Sequence, residues 1–93
     1  MQIEFDPAKD KVNHEKHGVS LGFAREVLAD PRCHVIADVR FDYGETRFIA
    51  HGRPKSDTRI WVCIYTPRGT TKRIISLRKA NERETKRYYE AAR

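Results

Sequence analysis

The residues from Arg68 to Lys79 carry five cationic side chains: Arg68, Lys72, Arg73, Arg78 and Lys79. Guanidinium forks match phosphate oxygens in bidentate pairs, so such a cluster suits a phosphate ester or a polyanion. The stretch reads as a turn at Pro67 and Gly69 feeding a strand over Thr71 to Arg78, which runs into a cationic helix start. Side chains alternate across a strand. Lys72, Ile74, Ser76 and Arg78 are therefore expected on one face and Arg73, Ile75 and Leu77 on the other, with the cations converging near one strand end. The competing reading is a basic rim neutralised by Glu82 and Glu84 of the next helix.

Cleaving an RNA linkage would ask little more of such a cluster. The 2′-hydroxyl must lose a proton, the pentacoordinate phosphate must be stabilised and the 5′-oxygen must gain a proton. Cations aimed at developing charge often supply the greatest part of the rate enhancement, and general acid–base help adds ~10²–10⁴-fold. Candidate proton carriers are His14, His17, His51, Glu82, Tyr88 and Tyr89. His14 and His17 share a helix face with Asp10 one turn earlier. No third strong ligand has fitting spacing, so neither a metal nor another cofactor is expected. His17 also suits the C-terminal dipole of its helix, and the two tyrosines suit packing of the last helix onto a sheet. Trp61, among apolar neighbours, reads as core. No nucleophile triad, Walker loop or dinucleotide-binding glycine pattern is present.

The elements that would position these groups can be read in chain order. Gln2 to Phe5 is a short strand. Asp6-Pro7 starts a helix that should run to His17 and stop at Gly18. Ser20 caps a second helix over 21–29, whose Phe23, Ala24, Val27 and Leu28 form a buried stripe, closed by Asp30-Pro31. Strands follow at Val35 to Asp38, Thr46 to Gly52 and Arg59 to Thr66, the last apolar enough to be central. Asn81 and Glu84 form a capping box for a final helix to Ala92. The expected fold class is α+β, an antiparallel sheet meander with two N-terminal helices and one C-terminal helix.

Ninety-three residues allow a single domain, 1–93, with 39% hydrophobic and 34% charged residues. The net charge of +6 divides into −2 over residues 1–44 and +8 over residues 45–93, so any surface for an anionic partner belongs to the second half. Cys33 and Cys63, with no C-x-x-C partner, read as small buried hydrophobes. Without an apolar signal region or a span of ~20 apolar residues, a cytoplasmic protein that does not contact membranes is expected.

Several stretches in order resemble the BrnT family of type II toxin–antitoxin toxins. They are Phe5-Asp6-Pro7, Asn13-x-x-Lys16-His17-Gly18-Val19-Ser20, Asp30-Pro31, Gly44-Glu45-x-Arg47, Thr66-x-Arg68-Gly69 and Arg73-Ile-Ile-Ser-x-Arg78-Lys79-Ala80. Leu77 departs from a position that is usually Ala, and Pro67 from one that is usually polar. The resemblance implies a RelE-like fold and metal-independent mRNA cleavage that halts translation, with the ribosome as a possible further partner. It also implies a BrnA-like antitoxin of the ribbon-helix-helix type, which neutralises the toxin and carries it to operator DNA as co-repressor. Family motif positions are His17, Arg68, Arg73, Ser76, Arg78 and Lys79. On this reading Arg78 and Arg68 grip the scissile phosphate, Lys79, Arg73, Lys72 and Arg47 hold RNA, and His17, His51 or Glu82 moves protons. The alternatives are a non-catalytic basic module for RNA or the ribosome, and a domain that only docks an acidic protein.

Overall fold

Short-range signals set the helix ends in the computed structural model, which describes residues 1–92. The Asp6 carboxylate accepts the Ala8 N–H at 2.9 Å and Pro7 takes the first helical turn of α1 (Pro7–His17). The helix stops at Gly18, whose φ of 73° is left-handed. The expected single helix over 21–29 is instead a 3₁₀ turn, Leu21–Phe23, followed by α2 (Ala24–Leu28). Gly22 lowers helix propensity at that point, and Ser20 Oγ takes its N–H at 3.3 Å.

The strands are β1 (Gln2–Glu4), β2 (His34–Ala37), β3 (Phe48–Gly52), β4 (Trp61–Arg68) and β5 (Thr71–Lys79), and α3 covers Glu82–Ala91. They form one sheet of order β1-β5-β4-β3-β2. The segment β2 to β5 is the antiparallel meander anticipated from the sequence, while β1 returns parallel to β5 at its outer edge. One sheet face carries Ala50, Cys63, Ile74 and Leu77 against Leu21, Ala24 and Val27, all essentially inaccessible. At Gly52 an added Cβ would lie 2.2 Å from the Val27 carbonyl oxygen, so this close approach of β3 to α2 requires glycine.

Two features set what β5 can present. The first is a bulge. Ile64 pairs with Ser76 but Tyr65 with Ile74, so Ile75 opposes no residue. Strict alternation therefore fails. Ile74 and Leu77 both reach the core, and Arg73, Ser76 and Arg78 lie on the opposite face. The second is Asn13, buried on α1. Beyond Arg73 the edge of β5 has no neighbouring strand, because β1 ends at Glu4. The Asn13 amide takes that place: it accepts the Leu77 N–H at 3.1 Å and donates to the Leu77 carbonyl at 2.9 Å and the Val19 carbonyl at 3.0 Å. The face of α1 that meets the sheet is thus polar at its centre, and Val12 on the same helix is 59% exposed.

Candidate active site

Arg78 sits where β5 gives way to α3. There Asn81 Oδ1 accepts the Glu84 N–H at 2.8 Å, and the Glu84 carboxylate accepts the Asn81 N–H at 2.9 Å. This reciprocal box folds the Glu84 side chain back over the strand end. Both arms of the Arg78 fork then reach it, Nη1 to Oε1 at 2.7 Å and Nη2 to Oε2 at 2.8 Å. These bonds are the first cause that holds the Glu84 carboxyl at about 2, far below the ordinary 4.5. Glu84 is therefore a fixed anion. The Arg78 side chain remains 34% exposed. Of its five N–H donors, two bind Glu84 and one makes a longer contact with the Lys79 carbonyl at 3.3 Å. The others are available to a ligand.

Between α1 and β5 an open cleft of about 320 Å³ is lined by Lys9, Lys16, His17, Ile75 and Ser76. His17 joins it from the last turn of α1. Partial burial first, and then the charges of Lys16 and Arg78, push its pKa below 6.5. Its imidazole is therefore neutral at pH 7 and able to accept a proton. Arg40, ion-paired to the buried Asp38 at 2.8 Å, is close enough for its charge to oppose that of Arg78.

His51 belongs to the same side of the sheet. Arg78, Val62, His51 and His34 stand opposite one another across four strands in one row. His51 is only 1% exposed, and its Nδ1 has no hydrogen-bond partner among the described residues. Burial lowers its pKa, against which the Glu84 charge acts. In this arrangement it does not face a substrate.

The remaining sequence candidates are spread out, contrary to the expected convergence. Arg68 pairs with Thr71 at the hairpin end, a strand length of roughly 20 Å from Arg78, so the two cannot grip one phosphate. The cause is the chain path: Gly69 turns it, and β5 then carries Arg78 away. The bulge divides the others. Arg73 shares the Arg78 face and lies 3.5 Å from Glu4. Lys72 and Lys79 lie on the core side, 5.7 Å above the Tyr65 ring and 6.0 Å above the Trp61 ring. Arg47 is held by Glu45 at 3.1 Å and stacks 4.0 Å over Tyr43. Glu82 is exposed on the first turn of α3 and its side chain makes no hydrogen bond among the described residues; it is Glu84 that meets the cations. Sequence reasoning gives Glu84 only as a neutralising charge, not as the group that orients Arg78, and it misses Arg40. For Glu84 the signal is present, since a capping box beside a cationic strand end returns its carboxylate toward that end.

A guanidinium fork of fixed orientation, a neutral imidazole and a lysine-lined cleft can together bind and polarise a phosphodiester. A family model described as "Ribonuclease toxin, BrnT, of type II toxin-antitoxin system" matches residues 5–84. The chain belongs to the BrnT family. The match spans α1, strands β2 to β5 and the Arg78–Glu84 pair. The chain is also similar to the Brucella abortus ribonuclease toxin BrnT, known from a crystal structure at 1.1 Å resolution. The identity is 26%, over 88% of this chain and 99% of that one, with a TM-score of 0.67. Among curated proteins nothing matches. As a BrnT family member the protein is a ribonuclease toxin of a type II system, and an antitoxin partner follows from that class. Among the described residues no helix is long and apolar enough to cross a membrane.

Proposed function

We propose that this BrnT family member is a metal-independent endoribonuclease that cuts mRNA by attack of the 2′-hydroxyl and thereby stops translation. The observation that carries this reading is the Arg78 fork, oriented by Glu84 and partly open, beside neutral His17 in a cationic cleft. Arg78 binds the non-bridging oxygens and stabilises the charge they gain in the pentacoordinate state. His17 accepts the 2′-hydroxyl proton, O2′ bonds to phosphorus, and the P–O5′ bond breaks. The 5′-oxygen leaves with a proton drawn from solvent, giving a 2′,3′-cyclic phosphate and a 5′-hydroxyl. Arg73 continues the RNA path along the sheet face and Arg68 contacts a phosphate further out, whereas Lys72 and Lys79, on the opposite face, can meet RNA only where the chain passes round the sheet edge.

A BrnA-like antitoxin would present acidic and apolar groups to this face and so exclude RNA. The toxin would reach operator DNA only through that partner, as co-repressor, and act in the cytoplasm on mRNA, free or on the ribosome. The test is incubation of purified protein with RNA in EDTA, followed by analysis of the termini. Discrete fragments with cyclic phosphate and 5′-hydroxyl ends are expected. Salt-dependent binding without fragments would instead establish the non-catalytic module.

A further inference from the structure

A second cavity, about 550 Å³, lies between α2, the loop after β3 and the last turns of α3. Its walls have two characters. Pro31, Pro54 and the ring of Tyr88 make an apolar floor, and the Tyr88 hydroxyl is tied down by a 2.5 Å bond to Asp30. Asp30 also accepts the Arg53 N–H at 2.8 Å and the Arg32 N–H at 3.0 Å. These bonds hold Asp30 as an anion against the floor, and the second carboxylate of the lining, Glu26, accepts the Ser56 hydroxyl at 2.8 Å. Around the rim stand Arg32, Arg53 and Lys55, none of which is in a salt bridge among the described residues. Tyr89, 51% exposed, also lines the cavity and stands nearly perpendicular to Tyr88, with 5.2 Å between ring centroids.

The position joins this cavity to the active site. Glu84, which holds Arg78, and Tyr88, which forms the floor, are one helical turn apart on α3, about 6 Å along its axis. Arg87, between them in sequence, is close enough for its charge to act on His51. Arg32 and Arg53 flank His34 and His51, the two histidines of the Arg78 row.

We infer that this cavity is a nucleotide subsite for the RNA chain, in which a base stacks on Tyr89 over the proline-lined floor and its phosphate is held by Arg53, Arg32 and Lys55. The inference rests on the ribonuclease reading and deepens it, since a base held a short way along the chain from the scissile phosphate would set where the RNA is cut. A flat aromatic face with cations around it is the usual chemistry of single-strand recognition. At about 550 Å³ the cavity has room for one nucleotide.

The test separates binding from cleavage by using a short RNA made fully 2′-O-methyl, which cannot be cut by internal attack. Wild-type protein should bind it, with NMR shifts at Tyr88, Tyr89 and Arg53. Tyr89→Ala should weaken binding about 5- to 100-fold, and Tyr89→Phe should restore it. On cleavable RNA, Tyr89→Ala should redistribute the mapped ends. Failure of cleavage by the wild type with intact Tyr89-dependent binding would remove only the enzyme reading. Unchanged affinity and unchanged cleavage positions in Tyr89→Ala would overturn the subsite while leaving Arg78 chemistry in place. Individual nucleoside monophosphates form a further arm. If they shift Tyr89 but Tyr89→Ala does not alter RNA binding, the cavity serves free nucleotides and the inference fails. Shifts produced by the antitoxin alone, with none from RNA, would likewise overturn it in favour of a protein contact.

Discussion

Replacing Glu84 by Gln probes the group that fixes Arg78 without removing the helix cap, because the amide oxygen can still accept the Asn81 N–H. Holding a carboxyl at about 2 instead of 4.5 corresponds to about 3 kcal/mol of preference for the ionised form in the folded state. With the Arg78 side chain 34% exposed, solvent screening removes a good part, which leaves about 1–2 kcal/mol. Because the folded value lies below the unfolded one, this contribution is present in full above pH 4.5 and is lost as pH falls toward about 2. Asp38 is likewise held at about 2, so the wild-type curve alone cannot isolate Glu84. The difference between wild type and variant can. Urea denaturation across this range should show Glu84→Gln less stable by about 1–2 kcal/mol at neutral pH, with the two proteins converging in acid. A gap that persists unchanged at low pH, or no gap at neutral pH, would refute the ion-pair reasoning.

Asn13→Ala should cost about 2–4 kcal/mol in denaturant unfolding, since it strips partners from both backbone groups of buried Leu77; a loss under about 1 kcal/mol would show that water replaces the amide. Arg68→Ala should raise KM for RNA and lower the slope of log affinity against log salt by about 0.7, as for one lost phosphate contact. A fall in kcat matching that of an Arg78 variant would contradict its placement at the far hairpin end. For His17, the neutral form is the base, so kcat should fall as pH drops through a value below 6.5. His17→Gln should flatten that limb, and an unchanged profile would remove His17 from proton transfer.

What can be read from the sequence is governed by interactions a few residues apart. Asp6, Pro7 and Gly18 bound α1, and Asn81 with Glu84 starts α3, because each cap is a contact within one helical turn. The apolar run through Trp61, Val62 and Cys63 marks the central strand. What depends on distant partners is not legible in the same way. The bulge at Ile75 is set by pairing with β4 and cannot be seen in β5 alone, so simple alternation puts Leu77 on the wrong face relative to Ile74. The parallel return of β1 and the use of Asn13 as a substitute strand edge arise only when residues more than sixty positions apart meet. Arg68 looks close to Arg78 because they are near in sequence, but a strand is the least compact way to join two residues. At the site the sequence points to the important cation. Its anion is named there only as a general neutralising charge alongside Glu82, because the sequence does not show that the capping box turns the Glu84 carboxylate onto the Arg78 fork.

The central claim is that the Arg78 fork steadies a breaking RNA linkage. The most direct measurement compares cleavage of one RNA by wild type, Arg78→Lys and Arg78→Ala, with circular dichroism and thermal unfolding confirming that each protein is folded. Lys keeps the charge but not the paired N–H groups. Folded Arg78→Ala should lose about 10²–10³-fold in kcat, and Arg78→Lys should recover only part of it. Full-rate cleavage by a folded Arg78→Ala protein would contradict the claim.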